Sequence, residues 1–225
     1  MQSREPPIAT VMSTTNLDRY IAARLLQADL SAIDLHFSRT GITDMAGITH
    51  LKNAFTALAN MVDFEKKVRG IYKKHRMISA VFSKNKENYE FAKYLRNKLV
   101  GHIHPELIEK TIEWKPVLRH LAIHMNHQRC MFAVNILVLE TAINTYVDAD
   151  GKHRVFPSEI DLLYTPDWMR FIDYLEVSIG SAIHYLGGLC EALSEDIDHP
   201  APGQIDFELY LKAGMTAFAF LRKQP

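Results

Sequence analysis

Residues 93–105, KYLRNKLVGHIHP, place an arginine, an amide and a histidine close to the predicted end of a helix. Apolar residues occupy one helical stripe around this stretch: Phe91, Tyr94, Leu95 and Leu99. Such a stripe predicts a buried face with polar groups at its flank. Gly101 and Pro105 are helix stop signals. The sequence therefore predicts a helix over residues 85–102 that ends beside Arg96, Asn97 and His102.

Hydrophobic periodicity outside this stretch predicts that most of the chain is helical. Further helices are expected over residues 17–39, 44–71, 116–147, 165–193 and 204–222. In the first of them, apolar residues recur at helical spacing: Tyr20, Ile21, Leu25, Ala28, Ala32 and Leu35. Residues 145–156 surround a turn cluster and could form a short β-hairpin. The predicted fold class is all-α, an up-and-down bundle of five or six long helices.

Length and composition indicate one globular domain. The chain has 225 residues, of which 48% are apolar and 23% charged, as in ordinary soluble proteins. We expect a flexible N-terminal arm over residues 1–15 and a single helical-bundle domain over residues 16–225. No apolar run reaches the roughly 18 residues of a membrane span, so we expect no membrane contact. Two cysteines, Cys130 and Cys190, give no disulfide framework, which favours a reducing, cytoplasmic location.

Charge is unevenly distributed although the net charge is zero. Residues 65–98 contain eleven Lys or Arg against three acids, whereas residues 140–208 contain fourteen acids against three Lys or Arg. The basic block can attract a polyanion such as RNA, and the acidic block can equally balance it within a dimer. Both blocks can also be solvated helix faces. The candidate RNA-binding residues are Lys93, Lys98, Lys73, Lys74 and Arg76.

Arg96, Asn97 and His102 carry the functional groups that RNA cleavage requires. Arg96 offers a forked cation for a phosphate, Asn97 an orienting amide, and His102 a group that exchanges a proton near neutral pH. Cleavage by the 2′-OH needs proton transfer and stabilisation of a charged phosphorane, so no metal or other cofactor is required. Six residues of α-helix place Arg96 and His102 roughly 120° apart. They converge only if the helix ends near Gly101 or a second copy packs alongside.

The spacing of Arg96-Asn97, four residues and then His102 resembles the motif of the HEPN superfamily. That resemblance implies a helical bundle and a metal-independent endoribonuclease whose active site, formed by Arg96, Asn97 and His102, meets a second copy across a homodimer. It also implies a place in toxin–antitoxin, phage-defence or RNA-processing systems, with an antitoxin protein as a partner. Some members of the superfamily are non-catalytic, which keeps a module that binds a nucleotide, RNA or protein as the alternative. A purely structural role, with Arg96 paired to an acid and His102 capping its helix, is a further alternative.

A second candidate site is a row of three histidines on the helix expected over residues 116–147. His120, His124 and His127 stand at i, i+4 and i+7, which puts three imidazoles on one stripe of a continuous helix. No carboxylate accompanies them nearby to complete a metal-ligand set. Polar core or dimer-face histidines are therefore the preferred interpretation, with metal binding as the weaker one.

Overall fold

Eight α-helices form the regular structure of the described residues. The computed structural model describes residues 14–102, 104–124 and 126–197, together with Phe207, Leu211, Gly214 and Met215. The helices are α1 (Thr14–Thr40), α2 (Met45–Val68), α3 (Arg76–Lys84), α4 (Lys86–Leu95), α5 (Pro105–Trp114), α6 (Leu118–Leu121), α7 (Gln128–Asn144) and α8 (Thr165–Ser194). Short 3-10 segments follow α2 and α6, at Arg69–Lys73 and Ala122–His124. The all-α fold class is confirmed.

Three long helices, α1, α2 and α8, form the body of the bundle. α1 packs against both α8 and α2, and α2 packs against α4. Aromatic and aliphatic side chains fill the space between them, and the largest that are fully buried include Phe55, Tyr89, Phe91, Phe171 and Tyr185. Burying this apolar surface is the main driving force for folding. Gly41 follows the last residue of α1, with a φ of 65° that glycine adopts without strain.

The core-facing side of α1 is not the stripe that the sequence singles out. Ala23, Leu30 and Ile33 are buried, whereas Ile21, Leu25, Ala28, Ala32 and Leu35 are exposed. Ile21 and Ala23 are two residues apart, about 200° of helical rotation, so the two apolar stripes lie on opposite faces. Periodicity detects both stripes and cannot tell which one faces α2 and α8.

The motif helix forms as predicted but changes geometry in its last turn. Phe91 and Leu95 are fully buried, and Tyr94 and Leu99 pack half-buried against the core. After Leu95 the helix widens into one π-helical turn, Arg96–Val100, closed by a hydrogen bond of 2.8 Å from the Gly101 N–H to the Arg96 carbonyl. α5 then begins at Pro105, a favoured first helical position.

The predicted continuous helix over residues 116–147 is wrong. α6 ends at Leu121, a 3-10 turn follows, and α7 starts at Gln128. His127 precedes α7 with extended backbone angles, φ −89° and ψ 129°. This segment is largely exposed, Ile123 included, so tertiary packing gives it little reason to remain helical.

The segment between α7 and α8 is a loop with one β-bridge. The expected hairpin around residues 145–156 is reduced to a single antiparallel bridge between Val147 and His153, across a turn in which Gly151 has a φ of 78°. Side chains of α7 anchor the rest of the loop: Asn144 exchanges hydrogen bonds with the Ile160 backbone, and buried Glu140 accepts from the Leu162 N–H at 2.9 Å. The loop is thus held by polar contacts to α7.

Several predictions fall partly outside the described residues. Of the N-terminal arm expected over residues 1–15, residues 1–13 lie outside the described residues. The last two belong to α1, which begins at Thr14. The last helix, expected over residues 204–222, also lies outside them except for four isolated residues. In the part of the chain that is described, no helix combines the length and apolar character needed to cross a bilayer.

Candidate functional site

The π-helical turn sets the geometry of the Arg96 motif. An i+5 hydrogen bond in place of the i+4 bond widens the turn at Arg96, and such π turns occur frequently at functional sites. The turn packs against α2, α4 and α7. Arg96 is half-buried, and Asn97 and His102 are exposed. All three predicted catalytic residues therefore lie at one end of the motif helix and are accessible to solvent.

Arg96 and Asn97 are in direct contact. The Nη1 of Arg96 donates a hydrogen bond of 2.9 Å to the Oδ1 of Asn97. This contact fixes the amide orientation, so the Nδ2 group of Asn97 and the remaining N–H groups of Arg96 stay available as donors. Within the described residues, Arg96 has no carboxylate partner. Among the described residues, no acid therefore neutralises Arg96.

His104 stabilises the end of this helix. Its Nε2 lies 3.1 Å from the carbonyl oxygen of Asn97, one of the groups that a helix end leaves without an intrahelical partner. Because a carbonyl only accepts, this nitrogen carries the proton. The imidazole of His102 makes no hydrogen bond to the described residues and stands edge-on to His104, with ring centroids 6.5 Å apart. Of the two histidines, His104 is therefore hydrogen-bonded to the helix end, and His102 has no hydrogen bond to the described residues.

One signal for the role of His104 is present in the sequence. A histidine after the last helical turn is a common donor to the final carbonyls, but residue spacing alone cannot choose between His102 and His104. The structure brings Arg96 and Asn97 together and leaves His102 beyond the helix end, without a hydrogen bond to either of them. Convergence of His102 on Arg96 is thus not achieved by side-chain contact within one chain.

The two predicted RNA-binding lysines beside the motif differ in their surroundings. Lys93 is largely buried and donates to Asp63 on α2 at 2.6 Å, and this hydrogen bond, with a second one from Lys66, holds the pKa of Asp63 below its ordinary value. Lys98 has no ion pair in the described residues and lies 5.8 Å from the centre of the Tyr94 ring. Lys98 is the more available cation for a phosphate.

The other three predicted RNA-binding residues line a separate cleft between α3 and α8. The cleft has a volume of about 660 Å³. The side chains on its α3 side include Lys73, Lys74 and Arg76, which form no ion pair within the described residues, and Met77, which is 78% exposed. On the α8 side are His184, Tyr185, Glu191 and Glu195. We call this the α3–α8 cleft.

Polar contacts join residues that line the α3–α8 cleft to each other and to the core behind it. Glu195 lies 3.6 Å from the Nε2 of His75. Deeper in, the hydroxyl of Tyr72 donates to buried Glu65 and lies 2.9 Å from the Tyr185 hydroxyl. Burial raises the pKa of Tyr72 to about 12 and raises that of Tyr185 further. Both phenols are therefore neutral hydrogen-bonding groups at physiological pH. Sequence reasoning missed the α8 side because it lies more than a hundred residues away along the chain.

The three histidines proposed as weak metal ligands do not form one stripe. His120 lies in α6, His124 ends the 3-10 turn, and His127 precedes α7, so the helix that was to align them is interrupted. All three are exposed. Among the described residues, no three His, Cys, Asp or Glu side chains are grouped closely enough to hold a metal ion.

The end of the motif helix thus has a partly buried arginine, Arg96, an oriented amide, Asn97, and an imidazole, His102, without a hydrogen bond to the described residues. The α3–α8 cleft has three cationic side chains that form no ion pair within the described residues. Together these groups suit a ligand with phosphates. Comparisons of the chain with models of known protein families, with curated proteins and with solved structures gave no match.

Proposed function

We propose that this protein is a metal-independent endoribonuclease of HEPN type, with Arg96, Asn97 and His102 as its catalytic residues. The observation that supports the proposal is that half-buried Arg96 and exposed Asn97 and His102 lie at one helix end, where Arg96 forms no ion pair with a described acid and His102 makes no hydrogen bond to the described residues.

The proposed reaction uses each side chain for one task. The imidazole of His102 takes the proton of the RNA 2′-OH, whose oxygen attacks the adjacent phosphorus. The bond from phosphorus to the 5′-oxygen breaks, and this oxygen takes a proton. The products are a 2′,3′-cyclic phosphate and a 5′-OH. Arg96 binds two oxygens of the charged phosphorane, and the Nδ2 of Asn97 donates to a phosphate oxygen or a hydroxyl.

A homodimer is part of this proposal because one chain supplies one free imidazole at the motif. Cleavage needs both a proton acceptor and a proton donor, so a second His102, from another copy meeting the first at the motif end, would complete the pair. RNA is the proposed substrate, with Lys98 and the α3–α8 cleft as basic contacts. An antitoxin protein is a proposed partner if the activity serves a toxin–antitoxin or phage-defence system.

Cleavage assays in excess EDTA test the proposal. Wild type, Arg96→Ala and His102→Ala are incubated with single-stranded and structured RNA. A double variant, Arg119→Ala with His120→Ala, is the matched control, since it removes an exposed arginine and an exposed histidine of α6 that are not part of the motif. We expect wild type and control to leave 2′,3′-cyclic phosphate ends, and both motif variants to lose roughly 100-fold or more in rate.

The same assay separates the proposal from its alternative. RNA that stays intact with all four proteins, or that is cut equally by all four, contradicts the ribonuclease function. If wild type binds RNA or a nucleotide without cutting, and Arg96→Ala weakens that binding, the chain is instead a non-catalytic binding module.

A further inference from the structure

The α3–α8 cleft has apolar residues at its bottom and charged residues at its rim. Ile78 and Val81 of α3 and Gly188 of α8 are half-buried, and Ala192 of α8 is buried. The lysines, the arginine and the two glutamates that line the cleft are all exposed. We call Ile78, Val81, Gly188 and Ala192 the apolar floor. A site that held phosphates alone would have no use for such a floor, because phosphates bind to charged and polar groups.

Gly188 keeps the apolar floor open. A Cβ atom at this position would lie 3.7 Å from the Cγ1 of Ile78, in ordinary van der Waals contact. A side chain longer than that of alanine would extend past this contact and take up space in the cleft. The volume of about 660 Å³ lies within the range of pockets that enclose small organic molecules. The floor therefore has room for a flat, apolar group.

The charges at the rim of the cleft are separated by sign. Lys73, Lys74 and Arg76 lie on the α3 side, and Glu191 and Glu195 lie on the α8 side. α3 begins at Arg76, and no described side chain caps its N-terminus, so the first N–H groups of this helix add to the positive side. The cleft thus suits a ligand with an anionic group at one end, an apolar middle and hydrogen-bond donors at the other end.

We propose that the α3–α8 cleft binds one unpaired nucleotide of RNA, with the base on the apolar floor and the phosphate at the cations. The N–H groups of the base edge and the ribose 2′-OH are donors for the carboxylates of Glu191 and Glu195. A base reaches the floor only when it is unstacked and unpaired, as in single-stranded RNA and loops. The inference rests on the proposed function in taking RNA as the ligand, and it adds a preference for single strands.

The bound nucleotide is not the one that is cut. The cleft lies between α3 and α8, whereas the Arg96–Val100 turn packs against α2, α4 and α7 and shares no lining residue with the cleft. The cleft therefore distinguishes unpaired from paired RNA and leaves the choice of the cleaved bond to the motif.

Fluorescence anisotropy with a labelled RNA tests the nucleotide site. Every protein carries His102→Ala, so that the strand stays intact during the measurement. Gly188→Leu fills the floor, and Gly180→Leu is the matched control, because Gly180 is an exposed glycine of the same helix with open space around it. We expect Gly188→Leu to weaken the binding of a single strand about tenfold and to leave the binding of a duplex unchanged. Gly180→Leu should change neither, and circular dichroism should give equal helix content.

The outcomes of this measurement are separate from those of the cleavage assay. Wild type that binds the single strand but never cuts it contradicts the proposed function and leaves the nucleotide site standing. A single-strand affinity that Gly188→Leu leaves unchanged, or that both leucine variants weaken equally, overturns the nucleotide site. Absence of RNA binding overturns it as well.

Competition by small molecules tests whether the cleft binds a base or only a phosphate. Adenosine and uridine 5′-monophosphate should displace the labelled strand at concentrations about tenfold lower than ribose 5-phosphate, which has the same phosphate and sugar without a base. Gly188→Leu should abolish this difference, and Gly180→Leu should retain it. Equal competition by ribose 5-phosphate would show a site for phosphate alone, and equal competition by an acidic peptide would show a site for any anionic chain. Either result overturns the inference.

Discussion

His153 holds the loop after α7 through a neutral imidazole. Its Nε2 lies 3.0 Å from the Ile143 carbonyl and therefore donates, while its Nδ1 accepts from the backbone N–H groups of Val155 and Phe156 at 3.1 and 2.9 Å. A proton on Nδ1 would remove both accepted hydrogen bonds. Burial lowers the pKa of His153 below its ordinary value, in agreement with this arrangement.

The lowered pKa of His153 predicts a loss of stability in mild acid. As the pH falls from 7.5 through about 6.5, the unfolded chain binds a proton that the native imidazole resists, so the free energy of unfolding decreases. His153→Gln should be less stable at pH 7.5 by about 1–2 kcal/mol, because the partly buried N–H groups of Val155 and Phe156 lose the Nδ1 acceptor. It should also lose less stability than wild type between pH 7.5 and 5.5. Urea titrations at both pH values measure the difference.

His120→Gln is the control for this prediction, because His120 is exposed and makes no hydrogen bond to described side chains. Its dependence on pH should equal that of wild type. If His153→Gln has the same dependence as wild type too, then His153 is not the group that titrates.

At the scale of the element, the sequence predicted which segments are helices better than which faces they bury. α1, α2, α4 and α8 follow from apolar spacing together with Gly and Pro stop signals. The two stripes of α1 are equally regular, so only the packing of α2 and α8 decides between them. The break after α6 and the π turn after Leu95 arise from tertiary contacts and local hydrogen bonding, for which spacing gives no signal.

As with the helices, the sequence predicted part of the candidate site, namely its residues, and not the contacts between them. The identities of Arg96, Asn97 and His102 and their place at a helix end follow from the sequence. The hydrogen bond of His104 to the Asn97 carbonyl depends on how the chain turns after Gly101. The α3–α8 cleft joins residues near Arg76 to residues near Glu191, and periodicity in one segment carries no information about such distant contacts.

A buried ion pair joins three elements around α7. Glu140, whose side chain is 2% exposed, pairs with Lys115 at the end of α5 and accepts a hydrogen bond from the Leu162 N–H in the loop before α8. Removing one partner of a buried pair leaves an uncompensated charge. Lys115→Ala should therefore lower the free energy of unfolding by about 3 kcal/mol, measured by urea denaturation at neutral pH.

The matched control for Lys115 is Lys110 in the same helix. Lys110 pairs with Glu113 at 3.0 Å, but the two side chains are 39% and 65% exposed. Solvent screens such a pair, so Lys110→Ala should cost less than about 1 kcal/mol. Equal losses in the two variants would mean that Glu140 is stabilised by something other than Lys115.

At the scale of the whole molecule, the basic block of the sequence divides into two surfaces. Lys98 lies beside the motif, whereas Lys73, Lys74 and Arg76 lie in the α3–α8 cleft. Lys93 is held by Asp63, and Arg69 pairs with buried Glu65 at 2.8 Å. Part of the positive charge of the basic block is therefore neutralised by acids of α2. If the proposed ribonuclease function holds, the free cations of the cleft bind RNA phosphates away from the bond that is cut.

This division predicts that affinity and cleavage can be separated by mutation. The triple variant Lys73→Gln, Lys74→Gln, Arg76→Gln should bind RNA more weakly. The slope of the logarithm of its binding constant against the logarithm of salt concentration should be less steep by about two, since each lost phosphate contact removes about 0.7 from this slope for a single strand. Its cleavage positions should stay those of wild type. The control triple Lys67→Gln, Lys84→Gln, Lys86→Gln removes the same charge from exposed positions outside the cleft and should change binding less. Equal weakening by both triples would show that RNA responds to overall charge, and unchanged binding in the first would exclude the cleft as a contact.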